Sequence, residues 1–72
     1  MKILRIDRQG AFNDSIYNSK KELREVLIDL HQTDMVNDED RKALKKWSLN
    51  EVCEMFDWDY KTITNKQAEE FI

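Results

Sequence analysis

The sequence predicts a small α+β domain, a short N-terminal β-hairpin followed by a compact three-helix layer, in one domain over residues 1–72. Three observations predict it. The chain opens on a β-rich run, Lys2 to Asp7, which is followed by its only glycine, Gly10. Two later stretches repeat apolar residues at i, i+3, i+4 and i+7, the period of one helix face. Each of those stretches is preceded by a serine with a glutamate three residues on, the signature of a capping box.

In order, Lys2 to Asp7 reads as a strand with Leu4 and Ile6 on one face and Ile3 and Arg5 on the other. Gly10 accepts a positive φ without steric cost, so Arg8-Gln9-Gly10 reads as a turn. Phe12 to Tyr17 returns as a second strand, interrupted at Asn13-Asp14. Ser19 caps a helix over 20–32 whose buried stripe is Leu23, Val26, Leu27 and Leu30, with Ile28 off it. Its basic first turn (Lys20, Lys21, Arg24) opposes the helix dipole, and Glu22 and Glu25 offset part of that. His31, in the last turn, suits the dipole and the free carbonyls. Asn37 caps a second helix with Asp38, Glu39 and Asp40 first and Lys42, Lys45 and Lys46 later, the order the dipole favours. Ala43, Leu44 and Trp47 are expected to face the core.

Trp47 to Tyr60 is the most strongly specified stretch. Ser48 and Glu51 form the capping box, and Leu49, Val52, Cys53 and Phe56 form the stripe that should pack against that of the first helix. At Asp57-Trp58-Asp59-Tyr60 aromatics alternate with acids, a period of two that predicts an extended segment running on through Ile63. Thr64 and Gln67 make a weaker capping box for a short last helix, with Ala68, Phe71 and Ile72 on its apolar side.

Composition narrows the function. A chain this short buries a modest fraction of its surface, so a partner or a second copy is a natural source of further burial. One cysteine, Cys53, and one histidine, His31, allow neither an intrachain disulfide nor a Cys/His zinc site. The acids at 38–40 lack the ligand spacing, central glycine and closing glutamate of an EF-hand. There is no phosphate loop, GxGxxG, nucleophile elbow or HExxH. The expectation is a non-enzyme with no catalytic residue, no cofactor and no metal. No apolar run approaches the ~20 residues that span a bilayer, and Met1 to Arg5 has no apolar core before its charges. A cytoplasmic protein with no membrane partner is expected.

The net charge of −3 is unevenly placed. Residues 1–48 are nearly balanced, whereas the remainder sets Glu51, Glu54, Asp57, Asp59, Glu69 and Glu70 against Lys61 and Lys66 alone. Arg41, Lys42, Lys45 and Lys46 form a basic edge, either a solvated helix end or a contact for phosphate or an acidic protein. Ser48 to Phe56 resembles the first helix of winged-helix and MerR-like helix-turn-helix modules, with Thr62-Ile63 starting the second. That reading makes the chain a small DNA-binding regulator, but its turn residue is Asp57 where glycine is expected, and its local charge is the wrong sign for DNA. Nucleic acid is therefore the less favoured partner. The favoured contact residues are Glu54, Asp57, Trp58, Asp59 and Tyr60: Trp and Tyr are common interface anchors, and carboxylates select a basic protein surface. Trp58 has a second reading, as the residue that closes a small core. A homodimer is a further possibility.

The start MKILRID, the join Tyr17-Asn18-Ser19-Lys20-Lys21-Glu22-Leu23 and the run Phe56-Asp57-Trp58-Asp59-Tyr60 together resemble small accessory proteins encoded by phages of Gram-positive bacteria. The resemblance implies a protein that binds a host or defence protein and blocks it in the host cytoplasm, as anti-CRISPR proteins do. It carries no individual functional residue across.

Overall fold

The helices begin where their caps place them. In the computed structural model, which describes residues 1–10 and 14–71 apart from the Phe71 side chain, the order is β1 (Lys2–Asp7), β2 (Ser15–Tyr17), α1 (Lys20–Gln32), α2 (Asp38–Leu44), α3 (Leu49–Phe56), β3 (Trp58–Ile63) and α4 (Asn65–Phe71). The readings made for Phe12, for Asn13 and for the side chains of Phe71 and Ile72 fall outside the described residues. Ser48 Oγ accepts from the Glu51 amide at 3.2 Å, and the Glu51 carboxylate accepts from the Ser48 amide at 3.3 Å. Thr64 and Gln67 make the same reciprocal pair at 3.1 and 2.9 Å. At α1 the box is displaced by one residue: Ser19 Oγ accepts from Glu22, but the Glu22 carboxylate reaches the Asn18 amide at 2.9 Å. Asn37 accepts from the Asp40 amide at 2.9 Å. Gly10 takes φ 70° and donates to the Asp7 carbonyl, closing the turn after β1.

The three strands form one antiparallel sheet in the order β2-β1-β3. The extended segment after α3 thus returns to the first strand of the chain, pairing Ile6 with Asp59 and Leu4 with Lys61. Side-chain alternation sets Ile3, Arg5, Tyr17, Trp58 and Tyr60 on one face and Leu4, Ile6, Ile16 and Ile63 on the other. The first face carries the main core, in which Ile3 and Trp58 pack with Leu23, Leu27, Ile28, Leu44, Leu49, Val52 and Cys53 of the three preceding helices. The second is covered by α4 through Ala68, which is buried with Leu4 and Ile63. The fourth helix therefore lies across the sheet from the three-helix layer.

The expected stripe of α1 is turned. Leu23 and Leu27 are fully buried, but Ile28 is 7% exposed while Val26 and Leu30 are 37% and 42% exposed. Two bonds account for this: the Arg24 guanidinium donates to the Trp47 carbonyl at 2.7 Å and to the Lys45 carbonyl at 2.6 Å. The α2–α3 connection thus lies along the Arg24–Ile28 flank, and the opposite flank faces water. Ala43, expected inside, is exposed beside buried Leu44. Among the described residues no helix is long and apolar enough to cross a membrane.

Candidate interaction site

α3 ends at Asp57, which adopts a left-handed conformation (φ 60°, ψ 40°) and donates its amide to the Cys53 carbonyl. An αL residue is a common helix stop, and aspartate is among the few non-glycine residues that tolerate it. The kink converts the helix directly into β3. It turns Trp58 inward and leaves Asp57 and Asp59 exposed.

The end of β1 arrives beside this kink. The Arg8 amide donates to the Asp57 carbonyl at 3.1 Å, and the Arg8 guanidinium donates to Glu54 at 3.2 Å. Gln9 donates to the Asp57 carboxylate at 2.9 Å. The Arg8 pKa is raised chiefly by its hydrogen bond to Glu54, against the opposing effect of burial, with further contributions from the charges of Glu54, Asp59 and Asp57. Of the five residues singled out by sequence, Glu54 pairs with Arg8, Asp57 holds Gln9 and the Arg8 amide, and the charge of Asp59 also acts on Arg8. The cluster stays net negative. Arg8 and Gln9 were not legible as members, because only the pairing of β1 with β3 brings them there.

The two aromatics are held differently. Trp58 is 2% exposed and belongs to the core, so its ring is not offered to a partner. Its indole N–H donates to His31 Nε2 at 2.7 Å, and the Arg5 guanidinium lies 4.7 Å from the ring centre. With Nε2 accepting, the neutral imidazole carries its proton on Nδ1, which donates to Asp34 at 3.0 Å. The ring also stacks on Phe56, centroids 3.8 Å apart. His31 was expected to serve the carbonyls closing α1; it instead joins α1 to α3 and β3. Tyr60 is half-buried, and its hydroxyl donates to Asn50 of α3 at 2.5 Å.

Beside the cluster, Trp47, Asn50, Glu51, Glu54 and Met55 line a shallow groove of about 600 Å³. Met55 is 59% exposed and Trp47 half-buried, so the groove has apolar walls flanked by two carboxylates. Met55 was not singled out in the sequence. Cys53, beneath this face, is buried, and burial pushes its thiol up to about 11, helped by the charges of Asp59 and Glu54 and opposed by that of Arg8.

The basic edge is partly structural: Arg41 donates to Asp38 at 2.8 Å and to the Met35 carbonyl at 3.1 Å, while Lys42, Lys45 and Lys46 are exposed. The helix-turn-helix expectation fails on geometry, because the residues expected to start a second helix, Thr62-Ile63, lie in β3. α2 and α3 are joined by a short turn, but the exposed face of α3 carries Asn50, Glu51, Glu54 and Met55, none of them a cation. Compared with protein-family models, with curated proteins and with solved structures, the chain matches none.

Proposed function

We propose that this chain is a non-catalytic protein-binding module whose contact surface is the exposed face of α3 and the start of β3, and that its partner presents a basic surface. One observation carries the reading. An exposed methionine and a half-buried tryptophan form a groove beside Glu51 and Glu54, and the groove adjoins Asp57 and Arg8, the latter paired with Glu54, with Asp59 exposed beyond them. Apolar anchors supply affinity and flanking carboxylates supply orientation and selectivity. Blocking the bound protein, a host or defence component, is the form of this function that the resemblance to phage accessory proteins implies.

The test is a pull-down from host lysate, with and without nuclease treatment, using the wild-type chain and two variants, Met55→Asp and Glu54→Lys. Both positions are exposed, so both variants should fold. The expected result is one protein retained stoichiometrically by the wild type and lost with each variant. Retention that disappears on nuclease treatment, or that both variants preserve, overturns the reading.

A further inference from the structure

Among the described residues β3 is an outer strand of the sheet, with β1 on its inner side. The direction of its backbone groups follows from the register. The Arg8 amide bonds to the Asp57 carbonyl, and these two residues extend the pairing of Ile6 with Asp59 and Leu4 with Lys61. Hydrogen-bonded and non-bonded pairs alternate in an antiparallel ladder. Asp57, Asp59, Lys61 and Ile63 therefore direct their backbone groups towards β1, and Tyr60 and Thr62 direct theirs outward. The Tyr60 amide agrees: it donates to the Asp59 side chain at 3.0 Å. Asp59, Lys61 and Thr62 are all exposed.

We propose that this edge pairs with itself: a second copy of the chain adds its β3 antiparallel to the first, about a two-fold axis at Tyr60. Backbone parity requires Tyr60 to face an outward-directed position of the other copy, which leaves three registers centred on the strand. One sets Asp59 against Asp59, and another sets Lys61 against Lys61. The third sets Tyr60 against Tyr60 and Asp59 against Lys61, twice. Like charges directly opposite destabilise a strand pair and unlike charges stabilise it, and here they occupy the closer, non-hydrogen-bonded sites. Charge therefore selects the third register. On pairing, the Tyr60 amide exchanges the Asp59 carboxylate for the facing Tyr60 carbonyl, and the released carboxylate meets Lys61 of the other copy. Charged residues on an edge strand usually discourage strand addition. An acid and a base two residues apart on the same face instead make this edge self-complementary, as an isologous contact requires. The two sheets would join in the order β2-β1-β3-β3-β1-β2.

The edge shares Asp59 with the surface proposed for the partner, but its test uses the chain alone and does not depend on that partner. The test is sedimentation velocity over a roughly hundredfold range of concentration, on the wild type, Asp59→Lys, Lys61→Asp and the double variant D59K/K61D. A reversible wild-type dimer is expected, weakened at least about tenfold by each single reversal. The double variant should dimerise like the wild type, and an equimolar mixture of the two single variants should form a heterodimer. Amide exchange at Tyr60 and Thr62 should slow as concentration rises. A wild type that stays monomeric throughout, single reversals that associate like the wild type, or a double variant that fails to recover, overturns the proposal.

Discussion

Asp57 ends α3, starts β3, binds Gln9 through its side chain and Arg8 through its carbonyl, and does so at φ 60°. A β-branched residue at that φ is a true outlier, and left-handed backbone costs an ordinary residue about 1–2 kcal/mol. Asp57→Val should therefore lose about that much stability, whereas Asp57→Gly should stay within roughly 0.5 kcal/mol of wild type, since glycine accepts the conformation but gives up the side-chain bond. Chemical denaturation of the two variants checks the contrast. Cys53 gives a second expectation. Its pKa of about 11 lies above its ordinary 9.0, so the unfolded chain releases the thiol proton first. Stability from this source is complete below pH 9.0 and is lost as pH rises through about 11. The native thiol should react with a disulfide reagent at pH 8 far more slowly than the denatured one, and thermal midpoints of Cys53→Ala should fall less than those of wild type above pH 9.0. At this scale the sequence was readable wherever one residue serves its near neighbours, as the capping residues Ser48, Asn37 and Thr64 do. It was not readable at His31, whose partners Trp58 and Phe56 lie on other elements.

Each predicted helix and strand has its counterpart among the described residues, the second strand over Ser15–Tyr17, because caps, turn residues and apolar spacing act within a few positions of one another. The rotation of α1 is another matter. A stripe at 23, 26, 27 and 30 and one at 23, 27 and 28 are both amphipathic, and the choice between them belongs to whatever packs alongside. Here Arg24 holds the α2–α3 connection, and the helix turns towards Ile28. Alanine scanning along α1 separates the two stripes. Leu27→Ala, at a fully buried position, should cost about 2–5 kcal/mol. Leu30→Ala, at a largely exposed one, should cost under about 1 kcal/mol. Equal losses at the two positions would restore the original stripe.

For the whole molecule, the α+β class was legible and the closure of the sheet was not. The run from Trp58 to Ile63 announced itself as extended, but nothing local says that its neighbour is the first strand of the chain. The candidate site inherits the same limit: Glu54, Asp57 and Asp59 could be chosen by residue type, while Arg8 reaches them only through that pairing. The charge asymmetry acts over the whole surface, so raising salt should slow association with a basic partner while leaving the apolar groove contacts intact.

The position of β1 has a consequence for how the chain acquires its structure. β1 is the middle strand, with one neighbour close by in sequence and the other beyond all three helices of the main layer. Among the described residues the hairpin partner, β2, pairs over three residues, whereas β3 pairs over six. Most of the pairing of β1 among the described residues is thus made by a segment translated after all three of those helices. Non-local pairing of this kind slows folding, so β1, made before the helices, is secured only after the helices that follow it have formed.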